Sequence, residues 1–286
     1  MDWSYFWYKL YIPYVENPLL GYSLFFLLFI SVVFWYYLYL VKTGRLSKIY
    51  IRRIPALNSI EEAVGRSTEM GRPILYVPGI QDIDNIQTLA SLAILSHVAQ
   101  RCAEYETDFI MPVSRSVVMT VAQEVVKESY LRAGRSDLYR SDMVFYLTDD
   151  QFGYAAGVDG IISREKPGAV FLIGAFYAES LILAETGFSA GAIQIAGTAM
   201  ITQLPFFIAA CDYVLIGEEL FAASAYLSKD ILDKITLRTQ DVSKALVMIS
   251  IATGAAINTI HMLYPNMVNI PILNVIYKIF SGMVIK

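Results

Sequence analysis

Polar residues follow several apolar runs of this chain, at the places where buried strands would end. In an open parallel sheet, ligands bind beyond the carboxyl ends of the strands. Arg115 and Ser114, at the start of a helix, have the chemistry to hold an anion. The carboxylates at these strand ends would suit Mg²⁺ if they converged. The candidate ligand-binding positions are Gly79, Ser114, Arg115, Asp149, Asp150, Glu179, Thr198 and Glu218.

The acids among these positions also have a structural explanation. Asp149 and Asp150 suit an ordinary turn, and Glu218 suits the first turn of a helix, whose dipole favours acids. Glu179 and Glu185 interrupt an apolar helical stretch and lie about 120° apart on its circumference, so they are not a matched acid–base pair. A buried acid needs a partner, which an Arg or Lys, for example from REK at 164–166, would supply. Ligand binding at the strand ends requires these side chains to line one open pocket.

Nucleotide and nucleophile motifs are absent or misplaced. The turn at 78–82 reads PGIQD, without GxGxxG, and the chain has no GxxxxGK[ST]. GFSAG at 187–191 spells G-x-S-x-G, but that motif needs a strand before the serine and a helix after it, and here the order is reversed. The two cysteines and two histidines have no metal-site spacing. The sequence therefore predicts no metal and no cofactor, and an enzyme is the less favoured class.

Composition indicates a membrane-associated protein. Of the 286 residues, 56% are hydrophobic and 17% are charged, with a mean hydropathy of +0.49, whereas soluble proteins average about 25% charged residues. The net charge of −4 excludes a generally basic nucleic-acid binder. We therefore expect the lipid bilayer, and no nucleic acid, among the partners.

The N-terminal part predicts a membrane anchor. Residues 19–42 form an apolar run long enough to span a bilayer, with aromatic residues near its end. Residues 1–18 predict an aromatic interfacial segment, although the same face would also suit a partner subunit. Residues 43–57 predict a basic juxtamembrane linker. By the positive-inside rule, the N-terminus lies outside and the chain that follows the span is cytoplasmic.

The C-terminal part predicts a second membrane segment. Residues 245–264 are uncharged apart from His261 and rich in small residues that suit packing in lipid. Because Asn258 and His261 weaken this span, a buried or interfacial helix is the alternative. Residues 265–286 predict an interfacial or re-entrant tail.

The middle of the chain, residues 58–240, predicts one cytoplasmic α/β domain. Helical stretches separate short apolar runs that suit strands buried on both faces, and Ser59 with Glu62 suggests a capping box that opens the first helix. The uncharged stretch 186–211 is long enough for a span but fits a strand and its covering helix better. We predict a parallel, Rossmann-like open sheet of about six strands with helices on both faces. The predicted strands are 73–77, 108–113, 142–147, 169–174, 192–197 and 212–217.

The sequence of this domain resembles that of one protein family. The segments concerned are GRPILYVPG, TDDQFGYAAGV, REKPGAVFLIGAFYAES, AETGFSAGAIQIAGTA and QLPFFIAACDYVLIGEELFAASAYLS. They resemble an uncharacterised prokaryotic family of membrane-anchored proteins, catalogued only as a domain of unknown function. The resemblance covers about residues 58–240. It implies a prokaryotic membrane protein and supplies no activity, substrate or catalytic residue.

Three functional classes fit these observations. The first is a membrane-anchored scaffold in the prokaryotic cytoplasmic membrane, whose cytoplasmic α/β domain forms a homo-oligomer, with other membrane proteins as further partners. The second is a membrane-tethered enzyme or sensor that binds an anionic or nucleotide-like ligand at the strand ends. The third is a polytopic transporter, which requires residues 186–211 to form a membrane span.

Overall fold

The computed structural model describes residues 18–43, 54–227 and 231–263. The chain divides into two compact units, one of Tyr50–Asp230 and one that combines Met1–Ile49 with Ile231–Lys286. Residues 1–17 of the predicted interfacial segment, residues 44–53 of the predicted basic linker and the predicted C-terminal tail lie outside the described residues.

The larger unit is built on one parallel sheet, as the sequence predicts. All pairings are parallel, and the strand order is β3-β2-β1-β4-β5-β6. Each strand overlaps one of the predicted apolar runs, which confirms the α/β class and the six-stranded sheet. The strands are β1 Ile74–Gly79, β2 Phe109–Val113, β3 Val144–Tyr146, β4 Ala169–Ala175, β5 Ile193–Thr198 and β6 Tyr213–Ile216.

Helices cover both faces of the sheet because alternate strand residues point to opposite faces. Ile74 and Tyr76 of β1 join one apolar core, and Leu75 and Val77 join the other. The first core is covered by α2 Pro55–Glu69, α3 Ile86–Glu104, α4 Ser116–Arg132 and α8 Glu218–Leu227. The second core is covered by α5 Gln151–Glu165, α6 Glu179–Ser189 and α7 Leu204–Ala210.

Several helix boundaries differ from the sequence predictions. The first helix of this unit begins at Pro55, because proline suits the first turn, so Ser59 lies inside the helix and its hydroxyl donates to the Pro55 carbonyl at 3.4 Å. The predicted capping box at Ser59 is therefore wrong. Residues 186–211 hold the end of α6, then β5 and α7, which confirms that they form a strand with its covering helix. Helix α5 was not predicted at all.

The smaller unit contains two long helices, α1 Pro18–Lys42 and α9 Ile231–Leu263. Helix α9 includes all but the last residue of the predicted second span. Across residues 18–43, 54–227 and 231–263, no helix combines the length and the apolarity that a membrane crossing requires. The two membrane spans therefore stay predictions.

Candidate functional site

The candidate site lies at the carboxyl edge of the sheet, around the point where the strand order reverses. The chain continues from β1 to β2 on one side and from β4 to β5 on the other. Sheets of this order bind ligands in the crevice between these two central strands. The loops after β1 and β4 therefore form the candidate ligand site.

Two glycines close this crevice. Gly79 has a φ of +86° and Gly174 a φ of +146°. A Cβ on Gly79 would lie 2.8 Å from the Ala175 nitrogen, and a Cβ on Gly174 would lie 2.8 Å from the carbonyl carbon of Pro78. The Ile80 N–H donates to the Ala175 carbonyl at 3.1 Å, so β1 and β4 stay in backbone contact where a crevice would open. Gly79 thus serves close strand packing, not phosphate binding.

Ser114 and Arg115 follow β2, next to this closed crevice. Arg115 precedes the first residue of α4, whose first turn has no acid and no side-chain cap. The Arg115 Nε donates to the Ile80 carbonyl at 3.2 Å. Among the described residues, no carboxylate lies within 4.0 Å of its guanidinium.

The Ser114 hydroxyl is a buried polar group that lacks a hydrogen-bond partner within the described chain. Ser114 is only 2% exposed, and its Oγ has no bond. A buried hydroxyl without a partner is costly, so it is either strained or completed by a bound group. Together with the guanidinium of Arg115, it gives this corner unused donors for an anion.

Glu179 is fully buried and is held by neutral donors. The Tyr177 N–H donates to Oε1 at 2.9 Å, and the Gln151 amide donates to Oε2 at 2.5 Å. The expected basic partner is therefore replaced by an amide and a backbone N–H. Burial, and then the negative charge of Glu179, raise the pKa of Tyr154, whose hydroxyl donates to the Pro112 carbonyl at 2.8 Å.

Thr198 joins the end of β5 to the start of α3. Its hydroxyl donates to Gln87 Oε1 at 3.3 Å, and the Ala199 N–H donates to the same oxygen at 2.7 Å. Thr198 Oγ1 also accepts from the Met200 N–H at 3.2 Å. Thr198 is fully buried. Its polar atoms are used to hold two loops together.

The remaining acids do not converge. Asp150 caps α5 by accepting the Gly153 N–H at 2.6 Å, whereas Asp149 and Glu218 are exposed. Within the described ranges, no group of three or more His, Cys, Asp or Glu is arranged to hold a metal ion. The carboxylates at the strand ends therefore do not form the Mg²⁺ cluster whose chemistry the sequence suggested.

Neutral amides at this edge were missed by sequence reasoning. Gln87 and Gln151 lie in the first turns of α3 and α5, and Gln203 precedes α7. Gln203 Oε1 accepts from the Ser180 hydroxyl at 2.7 Å. These amides do not ionise, so they are not among the candidate residues that the sequence indicates. Their shared position, a glutamine at a helix start after a strand, is the signal that could have found them.

Exposed apolar side chains lie at or after the carboxyl ends of all six strands. Their exposed fractions range from 38% for Tyr177 to 82% for Ile201. Neighbouring strands lie roughly 4.8 Å apart, so the ends of the six strands span roughly 25 Å along this edge. We call this set of residues the carboxyl-edge apolar surface, and it comprises Ile86, Val117, Phe152, Tyr177, Ile201 and Ile216.

The opposite, amino edge of the sheet carries ion pairs. Arg101 contacts Glu61 at 2.6 Å and Glu104 at 2.7 Å, and Arg135 contacts both Glu106 and Asp137. Exposed apolar residues also occur at this edge, among them Leu131 and Phe188, and Leu131 is next to Arg132, which contacts Glu128 at 2.5 Å. The two edges of the sheet therefore differ in chemistry.

The fold and this edge define a class of protein: a parallel α/β protein with the strand order of dinucleotide-binding domains and a closed switch point. The chain belongs to the family described as a domain of unknown function, DUF6754, whose model matches residues 16–268. The match confirms the resemblance to an uncharacterised family. No curated protein and no solved structure matches the chain.

Proposed function

We propose that this chain is a membrane-anchored scaffold protein whose α/β unit assembles into a homo-oligomer through the carboxyl-edge apolar surface. The observation that carries the proposal is that each of the six strands ends in or is followed by an exposed large apolar residue at one edge. Contiguous apolar patches on soluble domains mark interaction sites.

Membrane anchoring is supported by the sequence and by the exposed side chains of α1. Residues 19–42 have the length of a bilayer span. Leu27, Leu28 and Val32 are each more than half exposed, an arrangement that suits contact with lipid. The small residues of 245–264 suit a second span. Basic residues after Lys42 favour the cytoplasmic side of a prokaryotic membrane for the α/β unit.

The self-association is tested with charge substitutions at the two edges of the sheet. Mass photometry of detergent-purified protein measures the oligomer directly. We expect Ile201→Asp and Phe152→Asp to shift the wild-type oligomer to smaller species, because burying an unpaired carboxylate in an interface is costly. Leu131→Asp at the amino edge is the matched control and should leave the oligomer unchanged. A monomeric wild type, or identical masses for all variants, would overturn the proposal.

An anion-binding sensor or enzyme is the second candidate, favoured by the buried Ser114 hydroxyl that lacks a partner within the described chain. If Arg115 and Ser114 bind an anion, inorganic phosphate or a nucleotide should raise the melting temperature of the wild type, because ligands that bind only the folded state stabilise it. Arg115→Gln should abolish that rise. Arg132→Gln, at the other end of the same helix, should preserve it. An unchanged melting temperature with both ligands would eliminate this candidate.

The position of residues 186–211 in the fold argues against a transporter, the third class. It required residues 186–211 to form one long membrane helix. The structure places β5 in the centre of this stretch, paired with β4 and β6. A strand paired on both sides within the α/β sheet does not supply that helix.

A further inference from the structure

Residues 186–211 contain no charged side chain, and burial within the α/β unit explains only part of this stretch. Strand β5 is almost entirely buried. Helix α7, in contrast, leaves Phe206 37% and Ile208 56% exposed. Exposed large apolar side chains on an uncharged helix are typical of an interaction surface.

Helix α7 lies beside β6, the last strand of the sheet. Among the described residues, β6 pairs only with β5, so one side of its backbone has no strand partner there. Helices α7 and α8 pack beside β6 on opposite faces, and neither carries a charge beyond the first turn of α8. We call this region the β6 edge surface, and it comprises Tyr213–Ile216, Phe206 and Ile208.

The other edge strand, β3, is protected against further pairing. The Gln123 amide donates to the Val144 carbonyl at 3.0 Å, so a side chain occupies one backbone acceptor of this strand. Helix α4, which packs beside β3, exposes an ion pair of Lys127 and Glu124 at 3.5 Å. Covered backbone groups and nearby charges are the features by which natural sheets avoid edge-to-edge pairing.

The β6 edge surface lacks these features over most of its length. Glu219 accepts the Ile216 N–H at 3.3 Å, at the last residue of the strand. In the described part of the chain, no side chain hydrogen-bonds to the backbone of Tyr213, Val214 or Leu215. The central part of β6 is therefore open to another strand.

The edge of β6 is complementary to a second copy of itself. Identical edges pair about a two-fold axis perpendicular to the sheet, which makes the two strands antiparallel. Opposite residues then point to the same face, so the axis passes through one residue, either Val214 or Leu215 at the middle of the strand. An axis at Leu215 would bring Asp212 near the partner's Glu218, and like charges in opposite positions are destabilising. An axis at Val214 places Asp212 opposite the partner's Ile216 and avoids this repulsion.

We propose that the β6 edge surfaces of two copies pair in antiparallel fashion, with Val214 opposite the partner's Val214. The two sheets become one continuous sheet, and the α7 helices cover each other's Phe206 and Ile208. The inference rests on the self-association in the proposed function, to which it adds a second surface. It does not depend on the carboxyl-edge apolar surface, with which it shares only Ile216. Two different contact surfaces would let the assembly grow beyond a pair.

Cysteine cross-linking of the full-length protein in detergent tests the pairing. Opposite residues of antiparallel strands have Cα atoms about 4.5–5.5 Å apart, which is within the range of a disulfide. In a Cys102→Ala, Cys211→Ala background, Val214→Cys should form a disulfide-linked dimer on mild oxidation. Phe145→Cys is the matched control, because Phe145 is also half-buried, lies in the edge strand β3 and packs against the same core. No dimer with Val214→Cys, or equal dimer with both variants, would overturn the proposal.

A charge on α7 tests the surface without altering the strand. Ile208→Asp should lower the fraction of disulfide-linked Val214→Cys dimer about tenfold, because pairing would bury an unpaired carboxylate. Leu131→Asp, at a similarly exposed position of α4, should leave that fraction unchanged. Undiminished cross-linking in Ile208→Asp would show that α7 lies outside the contact and would contradict the proposed surface.

The combination of Ile201→Asp with Val214→Cys separates the two surfaces. We expect the disulfide-linked dimer to persist in this variant. A persisting dimer, together with an oligomer mass that Ile201→Asp leaves unchanged, would refute the role of the carboxyl-edge apolar surface and retain the β6 pairing. Loss of the dimer in this variant would make the β6 contact a consequence of the carboxyl-edge contact and overturn the inference.

Discussion

The Gln151 side chain donates a 2.5 Å hydrogen bond to the fully buried carboxylate of Glu179. This bond joins the first residue of α5 to the first residue of α6. The Tyr177 N–H supplies the second donor. The carboxylate thus serves to fix the loop after β4, and its two neutral donors explain how an acid is accommodated without a basic partner among the described residues.

The removal of this amide should destabilise the protein. Gln151→Leu leaves a buried carboxylate oxygen without its donor, at a cost of about 1–3 kcal/mol in the free energy of unfolding. Gln100→Leu is the matched control, because the bond from Gln100 to Glu104 is exposed to solvent; its cost should stay within about 0.5 kcal/mol. Urea unfolding of the detergent-solubilised protein measures both. Equal effects of the two substitutions would contradict the role assigned to Gln151.

The two glycines at the switch point should not tolerate alanine. Gly79→Ala and Gly174→Ala place a Cβ against the backbone of the facing strand and force a positive φ on it. The φ alone costs roughly 1–2 kcal/mol, so both variants should melt at lower temperature. Gly65→Ala in α2 meets no atom within 4 Å and should stabilise by roughly 0.5–1 kcal/mol. Thermal unfolding measures the melting temperatures of these variants. A Gly79→Ala variant as stable as the wild type would mean that the crevice can open.

His97 should make stability fall in mild acid. Burial, and next the positive charge of Arg101, lower its pKa below the ordinary value of 6.5, against the opposing effect of Glu61 and Glu104. The unfolded chain therefore takes up a proton near pH 6.5 while the folded protein does not. Stability is complete above that pH and is lost as the pH falls toward the folded pKa.

A pH series checks this assignment. Urea unfolding from about pH 7.5 to about pH 5.5 spans the ordinary titration of histidine. His97→Gln should flatten the dependence over this range, because the substituted residue takes up no proton on unfolding. A slope identical to that of the wild type would assign the acid sensitivity to other groups.

The two thiols should be inert in the native protein. Burial, and then the charge of Asp212, raise the pKa of Cys211 from 9.0 to about 12, which lowers its thiolate fraction about a thousandfold. Burial also raises the pKa of Cys102. Iodoacetamide at neutral pH should label neither thiol before unfolding and both in denaturant. Ser136→Cys, at an exposed position, should label at once; rapid native labelling of Cys102 would contradict its burial.

The central strands could be predicted from sequence because they are buried on both faces. Every residue of β1 and of β4 is buried, so each strand is a short continuous apolar run and not an alternating one. Glycines bounded several of these runs and the helices between them. The order of the strands did not follow from these patterns, because the patterns contain no information on which strands pair.

Helix α5 could not be predicted from the sequence because it contains three glycines. Gly153, Gly157 and Gly160 lower its helix propensity. A Cβ on Gly157 would collide with the Leu147 side chain, and Gly153 approaches the Asp150 carboxylate that caps the helix. Tertiary packing thus explains residues that look like helix breakers. The structure alone could reveal this.

The candidate site was only partly visible in the sequence. Ser114 and Arg115 were found because cation and hydroxyl chemistry at a helix start is recognisable. The closure of the crevice between Gly79 and Gly174 depends on the register of two strands distant in sequence. The roles of Gln87 and Gln151 depend on which loops meet. These relationships arise from tertiary contacts and not from local patterns.

The central position of β1 has a consequence for the order of folding. Ile74 pairs with Phe109 on one side and with Ala169 on the other. During synthesis, β1 can therefore acquire only its β2 neighbour until β4 has left the ribosome. In that interval one side of β1 is an unpaired edge, which is prone to aggregation. Translation pauses or truncations before residue 169 should therefore increase the dependence of this chain on chaperones.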